Sequence, residues 1–380
     1  MVKYNCLNPI AKVGLDLLPA GYEATENFAE ANVALVRSAK MHDMDLPDSL
    51  VAVARAGAGV NNIPLDKCGD KGIVVFNTPG ANANGVKELV IAGMLLACRD
   101  LIGGNAWVCA NKDDAEIGKS MEKAKKQFAG GEIKDKTLGV IGLGAIGAMV
   151  ANAGSALGMK VVGYDPYFND KIKAKLAAEV EVVSDLNALY SVSNFVSIHV
   201  PALDSTKKML NKSAFDQMPD GAVILNFSRD VLVDDDDMAA ALEAGKIGKY
   251  VTDFPNAKTA NMSGVIAFPH LGASTAESED NCAIMAANQI ADFMENGNIV
   301  NSVNYPALNM GKAEKASRIA VCYKCGEGVA DACKAAVGGS AMESACRGDY
   351  GYCLIDCDSA VTDVAAVEAV AGVLKVRIVK

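Results

Sequence analysis

Apolar residues in this chain fall in short unbroken runs parted by polar or glycine-bearing turns. Runs at Val33–Val36, Leu50–Ala54 and Ile73–Phe76 predict buried strands with helical stretches between them. Residues 85–98, GVKELVIAGMLLAC, are apolar on most faces, as in a buried helix linking two domains. A polar, lysine-rich stretch covers 103–136. Apolar runs then recur at Leu138–Ile141, Phe195–Val200, Ala222–Phe227 and Lys249–Thr252, with helix-like segments between them, which is the rhythm of a parallel sheet. Past Pro306 a polar linker, NMGKAEKAS, leads into a compact unit. It reads strand (Arg318–Tyr323), helix (Val329–Val337), two strands flanking Gly348–Gly351, helix (Val361–Val370) and strand. In the last strand Leu374, Val376 and Ile378 alternate with Lys375 and Arg377, so one face is buried and one wet. A βαββαβ unit predicts a ferredoxin-like fold.

Residues 137–166, TLGVIGLGAIGAMVANAGSALGMKVVGYDP, join this pattern to a ligand. An apolar run enters Gly142-x-Gly144-x-x-Gly147, a helix-like segment follows, and a second run ends at Asp165. Strand before, helix after and acid at the next strand end are the context that a dinucleotide-binding glycine motif requires. Gly142 permits the tight turn, Gly144 lets the backbone approach a pyrophosphate, and Gly147 lets helix and strand pack closely. The helix start, from Ala145 and Ile146, offers unpaired N–H groups and a positive dipole end to phosphate. A carboxylate at Asp165 accepts hydrogen bonds from a ribose and repels a 2′-phosphate, so NAD is expected rather than NADP.

The predicted fold is therefore α/β: two doubly wound, Rossmann-like parallel-sheet domains and a small C-terminal ferredoxin-like α+β domain. The expected divisions are 1–98 with 275–305 for substrate, 99–274 for NAD, and 316–380 for the small domain.

Composition narrows the function classes. The 380 residues are 51% hydrophobic and 22% charged, as in an ordinary globular protein. A net charge of −10, with no large basic cluster, disfavours nucleic acid and anionic membranes as partners. The sequence has neither a membrane-length apolar run nor the apolar core of a signal peptide at its start, so a cytoplasmic location is expected. For the 11 cysteines, reduced thiols are the expected state. Cys322-x-x-Cys325 has metal-knuckle spacing, and Cys353-x-x-x-Cys357 is one residue wider than the usual second pair. Both lie in strand-like apolar segments, where cysteine behaves as a small buried hydrophobe, so core packing is expected and no metal.

Several further segments carry a resemblance. Arg55-Ala-Gly-Ala-Gly-Val-Asn-Asn-Ile, Phe76-Asn-Thr-Pro-Gly, Asn226-Phe-Ser-Arg229 with Leu232-Val-Asp234, Thr252-Asp253-Phe254 and Pro269-His270-Leu-Gly-Ala-Ser-Thr275 occur in the order seen in one family. Together with the glycine motif they resemble the D-isomer-specific 2-hydroxyacid dehydrogenases over roughly residues 30–300. Within that family the likeness is greatest to the branch that oxidises 3-phospho-D-glycerate to 3-phosphohydroxypyruvate at the start of L-serine synthesis. The C-terminal unit resembles the small-molecule-binding ACT domain. The resemblance implies NAD contacts from Thr78, Pro201, Phe227, Asp253, His270, Gly272 and Ala273 besides the glycine motif and Asp165. It implies substrate contacts from Arg55, Gly57, Ala58, Gly59 and Arg229, with Arg55 on the phosphate. It also implies a homodimer or homotetramer. Lys123, Lys125 and Lys126 then either reach toward a neighbouring subunit or form a solvated helix face.

Oxidation at C2 of a hydroxy acid needs a base for the hydroxyl proton and a cation for the carboxylate. Of three histidines, His270 follows Phe-Pro at a strand end, where reactive groups collect, and an imidazole serves both directions of proton transfer. His42 sits in a polar turn and reads as solvated, whereas His199 ends a strand before Pro201 and reads as structural. Arg229 ends an apolar strand, and its planar guanidinium suits a carboxylate. The run Asp234–Asp237 reads as a helix N-terminus.

Two departures stand out. The family's glutamate partner of the histidine falls at Lys258, and Asp230 replaces the usual glycine after the arginine. Two other readings remain: a hydroxypyruvate or glyoxylate reductase, which needs neither Arg55 nor an appended domain, and an NAD-sensing corepressor-like binding protein. The C-terminal unit is expected to be a separate regulatory or assembly module. Its turn Tyr323–Gly328 lacks the histidine and Pro-Gly-Val step of the ACT ligand turn, which favours sheet pairing between subunits.

Overall fold

The predicted apolar runs form strands of two parallel sheets. β1 (Val2–Cys6), β2 (Tyr22–Ala24), β3 (Val33–Val36), β4 (Ala52–Arg55) and β5 (Val74–Phe76) pair in the order β2-β1-β3-β4-β5, every pair parallel. β3, inside the sheet, is buried at every position, as a parallel strand with both faces covered must be, and β5 at the sheet's edge is buried as fully. Helix α1 (Leu65–Asp70) links β4 to β5.

Next come α2 (Ala83–Cys98), α3 (Leu101–Ala110) and α4 (Ile117–Ala124). The second sheet contains β6 (Thr137–Ile141), β7 (Lys160–Tyr164), β8 (Glu181–Val183), β9 (Phe195–Ile198), β10 (Ala222–Asn226), β11 (Ile247–Thr252) and β12 (Val265–Ala267). Its order is β12-β11-β10-β9-β6-β7-β8, all parallel. The order reverses between β6 and β9, and ligands of open α/β sheets bind beyond the carboxyl ends of strands at such a switch point. Helix α5 (Ala145–Ala156) leaves β6 through the glycine motif, and α6 (Asp235–Glu243) precedes β11.

Helix α7 (Ala276–Asn296) then leads to β13 (Ser317–Lys324), β14 (Ala341–Arg347), β15 (Tyr350–Cys357) and β16 (Val373–Ile378). These form an antiparallel sheet in the ferredoxin-like order β14-β15-β13-β16. In this computed structural model, which describes residues 1–380, the chain forms two units: 1–82 with 276–380, and 83–275. Helix α2 packs within the second, against α5.

The C-terminal sheet departs from the expectation of a separately packed module. Ile319, Val321, Cys353 and Ile355 face its own helices, while Ala320, Cys322, Tyr352 and Leu354 join a core with Val33, Leu35, Phe76, Ile290, Phe293 and Tyr305. The two-residue alternation of strands sorts β13 and β15 between these cores. Polar contacts fix the junction. Arg318, 2% exposed, binds Asp356 through Nε (2.6 Å) and Nη2 (2.9 Å), and its Nη1 donates to the carbonyls of Asn296 and Gly311. Arg377 donates to the carbonyls of Phe293 and Met294 at the C-terminal end of α7. The Tyr352 hydroxyl donates to Gly297 O (2.6 Å), and that of Tyr305 to Gly69 O (2.7 Å). The polar linker is thus pinned along the junction.

The cysteines also correct an expectation. Cys325 and Cys346 form a disulfide, with Cα atoms 6.0 Å apart, because both flank the start of β15 at one end of the small sheet. Cys322 and Cys353 lie on opposite faces of that sheet.

Candidate active site

In the unit 83–275 the glycine motif has the backbone geometry its residue types require. Gly142 has φ +87°, and a methyl group there would come within 2.5 Å of the His199 carbonyl oxygen. A methyl group at Gly147 would meet the Gly142 carbonyl at 1.8 Å. Gly144 has no neighbour within 4 Å of the place a side chain would take, so this is open space beside the first turn of α5. No side chain caps that helix, which leaves its leading N–H groups, at Ala145, Ile146 and Gly147, facing the opening. Asp165 accepts the N–H groups of Leu143 and Tyr167, each at 2.8 Å, and is thereby fixed at the rim of the glycine turn. This cradle fits a dinucleotide: room where a pyrophosphate approaches, N–H donors, and a carboxylate at the end of β7. Pro201 follows β9 on the exposed side of the same switch point, its carbonyl accepting the Thr206 hydroxyl (2.6 Å).

The turn after β10 carries Arg229. Asn226, fully buried, donates through Nδ2 to the Arg229 carbonyl (2.8 Å) and accepts the Ser228 N–H (3.1 Å). The Ser228 hydroxyl donates to Ile198 O on the next strand (2.8 Å). Burial holds the Arg229 guanidinium somewhat below its ordinary pKa, and neighbouring Asp230 opposes this. Its carbon lies 5.0 Å from the centre of the Phe254 ring. The imidazole of His270 lies 4.4 Å from that same ring. Phe254 therefore brings the two predicted catalytic side chains around one aromatic spacer.

His270 is one of three non-glycine residues with positive φ, at +55°. Such a conformation in a bulky residue is strained and needs external support. Asp253 supplies it: 1% exposed, its carboxylate accepts the N–H groups of Leu271 (2.7 Å) and Gly272 (2.8 Å). Burial raises the pKa of Asp253, while those N–H donors and the charge of His270 pull the other way. A methyl group at Gly272 would press on that carboxylate at 3.1 Å. Ala273 is half-buried just beyond.

Lys258, at the position of the family's glutamate, points elsewhere and pairs with Asp236. Asn256 likewise donates to Asp235 (2.8 Å), so the segment after Phe254 is latched to the start of α6. Asp234 caps that helix by accepting the N–H groups of Asp236 and Asp237. Phe227 is 5% exposed and packs on Phe268 and beside Gly93, so its side chain belongs to the core. His199 bonds through Nε2 with Ser197 Oγ (2.8 Å), and burial lowers its pKa to about 3. His42 is exposed.

Of the residues predicted to contact substrate, Arg55, Gly57, Ala58 and Gly59 belong to the unit 1–82 with 276–380, after β4, and Arg229 to the unit 83–275; Thr78, predicted as a cofactor contact, belongs to the first unit, after β5. Gly57 has φ +150°, and a methyl group there would strike Arg55 Nη1 at 2.0 Å, so glycine lets the guanidinium fold over the loop. The Thr78 N–H donates to Gly57 O (3.1 Å), and Asn77 Nδ2 donates to Ala58 O (2.6 Å), tying the loop through Gly59 to the end of β5. Thr78 is fully buried. Two supporting residues, Asn226 and Phe254, carry no chemical signature of their own. Only their neighbours Arg229 and Asp253 hint at them.

Residues 91–272 match the family model described as D-isomer specific 2-hydroxyacid dehydrogenase, NAD binding domain. The chain is 33% identical over 302 residues to a D-3-phosphoglycerate dehydrogenase of Methanocaldococcus jannaschii, covering 76% of this chain and 55% of that protein. It thus spans little more than half the length of that relative. It is 38% identical over 280 residues to a hydroxypyruvate reductase of Thermotoga maritima, covering 70% of this chain and 86% of the relative. Among solved structures it is similar to NAD+-bound 3-phosphoglycerate dehydrogenase of Entamoeba histolytica, with a TM-score of 0.63 and 28% identity, covering 81% of this chain and 99% of that one. With its NAD-binding domain and its strand-end arginine and histidine, the chain belongs to the D-isomer-specific 2-hydroxyacid dehydrogenase family.

Proposed function

We propose that this protein is an NAD-dependent oxidoreductase that oxidises 3-phospho-D-glycerate to 3-phosphohydroxypyruvate, the reaction that opens L-serine synthesis. The observation that carries the redox part is the grouping of Arg229 and His270 around Phe254 in the unit that holds the dinucleotide cradle. When bound, NAD supplies the hydride acceptor. A ring nitrogen of His270 takes the C2 hydroxyl proton as the carbonyl forms, and Arg229 holds the carboxylate and polarises the C2 oxygen. Asp253 keeps the His270 turn in place, and Lys258, at the position of the family's glutamate, pairs with Asp236.

Arg55 favours the phosphorylated substrate. Its guanidinium folds over Gly57 at a strand end, beside the backbone N–H groups of the 57–59 loop. The hydroxypyruvate reductase reading rests on the fuller length match to the Thermotoga maritima relative. NADH formation from 3-phosphoglycerate, D-glycerate and D-lactate, repeated with Arg55→Ala, decides between them. The phosphoglycerate reading expects a strong preference for 3-phosphoglycerate that Arg55→Ala weakens by about 1.5–3 kcal/mol. Equal losses on phosphorylated and unphosphorylated acids would favour the reductase.

Self-association belongs to the same proposal. Leu101, Ile102 and Val108 of α3 are 48%, 54% and 49% exposed, and no residue of that apolar helix is buried. A second copy of the chain is the occupant such a helix calls for, in a homodimer or homotetramer. No single helix is long and apolar enough to cross a membrane.

A further inference from the structure

The disulfide stands where the C-terminal sheet grips the first sheet's unit. Lys324, just before Cys325, places Nζ 2.6 Å from Asp70 Oδ1 and 4.3 Å from the centre of the Tyr350 ring. The Tyr350 hydroxyl also bonds Asp70 Oδ1 (2.8 Å), and its ring covers Gly69 so closely that a methyl group there would meet it at 2.4 Å. Lys324 and Tyr350 together hold the Asp70 carboxyl below its ordinary pKa. Arg347, just after Cys346, donates Nη1 to Ser302 O at 2.7 Å.

Both grips lead to the candidate substrate loop. Asp70 ends α1, which feeds β5. Ser302 bridges to Phe76, and the Asn77 N–H donates to Asn301 O. One residue on, the Thr78 N–H donates to Gly57 O beside Arg55. The disulfide thus fixes the two backbone points from which Lys324 and Arg347 brace the end of β5.

Both sulfur-bearing residues are exposed, unlike most of the other cysteines. Cys322, three positions earlier, is buried, and its thiol is pushed up to about 12. Exposure governs access for thiol–disulfide exchange.

We propose that Cys325–Cys346 is a reversible thiol–disulfide switch that sets the Arg55–Gly57–Thr78 loop. In reduction, a thiolate of an external dithiol attacks one sulfur, the S–S bond breaks, and the other cysteine leaves as a thiolate that takes up a proton. The dithiol's second thiolate resolves the mixed disulfide, freeing the remaining cysteine, and the reductant becomes a disulfide. Two electrons and two protons pass to the protein. The Cys325–Gly328 turn, with glycines at 326 and 328, then loses its crosslink, and Lys324 and Arg347 lose their fixed origins. Calling the loop a substrate loop rests on the function proposed above.

The test uses the full chain, oxidised with diamide or reduced with dithiothreitol. Thiol counting, hydrogen exchange, 3-phosphoglycerate KM and NAD affinity are measured in both states. Reduction is expected to expose two thiols, speed exchange in 65–78 and 301–304, raise KM about fivefold or more and leave NAD affinity unchanged. Cys325→Ser with Cys346→Ser should show the reduced behaviour in both conditions. Lys324→Ala should raise exchange in 65–70 while the disulfide is intact. Identical exchange in the two states overturns the switch, as does a double variant that still responds to dithiothreitol, or diamide that consumes neither thiol. Absence of turnover with every hydroxy acid, alongside a redox-dependent exchange difference, would overturn the proposed function and support the switch.

Discussion

The rings of Phe254 and His270 lie 4.4 Å apart, centre to centre. Phe254 directly follows Asp253, whose carboxylate holds the turn on which His270 sits, so one short segment positions the imidazole twice: by packing and by hydrogen bonds. The same ring faces the Arg229 guanidinium at 5.0 Å. A phenyl ring offers no lone pair and no charge. It therefore spaces the imidazole and the guanidinium without occupying the donor atoms that the proposed hydroxy-acid substrate needs.

His270→Ala should cost on the order of 10²–10⁴ in turnover while NAD binding survives, since the cradle at Gly142–Gly147 is untouched. Phe254→Ala should cost less, because each partner loses an aromatic neighbour contributing about 0.5–2 kcal/mol. Steady-state rates and an NAD titration on both variants check this. Near-normal turnover in His270→Ala would assign the base elsewhere.

Asp165→Ala should relax discrimination against NADP. The carboxylate stands at the end of β7, where in the proposed role it would repel a 2′-phosphate, and it also anchors Leu143 of the glycine turn. NADP should therefore gain relative to NAD even as overall affinity falls. Wild-type protein that already used both cofactors equally would remove this role from Asp165.

The parts of the site readable in the sequence are those whose chemistry is local. Glycine spacing, an acid at a strand end, and an arginine and histidine closing apolar runs follow from what one strand and one turn require. β1 is harder to read because it is short and its one buried position is the polar Asn5, the reverse of what its apolar–polar alternation implies, and three-residue edge strands such as β2, β8 and β12 are too short to show a period. Phe254 is invisible as a spacer because its partners come from distant strand ends. The seam at Arg318 and Arg377 and the Cys325–Cys346 pair depend on long-range packing, and cysteine spacing alone does not say which thiols meet.

His199 predicts an acid-sensitive stability. Its folded pKa is depressed to about 3, so between that value and its unfolded pKa near 6.5 the unfolded chain binds the extra proton. Stability therefore rises with pH across this window and is lost as pH falls through it, by at most about 1.4 kcal/mol per unit. His199→Gln should flatten the curve between pH 4 and 6 relative to wild type, which denaturant titrations at several pH values would show. Parallel curves would mean that the imidazole is protonated in the folded protein.

The C-terminal sheet should prove inseparable from the rest of the first unit. Removing residues 310–380 strips Ala320, Cys322, Tyr352 and Leu354 from the core they share with Phe76, Phe293 and Tyr305. It also leaves the α7 carbonyls at Phe293 and Met294 without the Arg377 donors. The truncated chain should lose cooperative unfolding of its first unit, while residues 83–275 keep their NAD cradle. Arg318→Met is the gentler probe: it leaves Asp356 buried without its cation, which should cost about 3–5 kcal/mol. Adding Asp356→Leu should recover much of that loss, because the uncompensated charge is then gone. Thermal unfolding and NAD titration of the three variants separate the outcomes. A truncated protein with an intact first-unit transition would show that the sheet is an appendage after all.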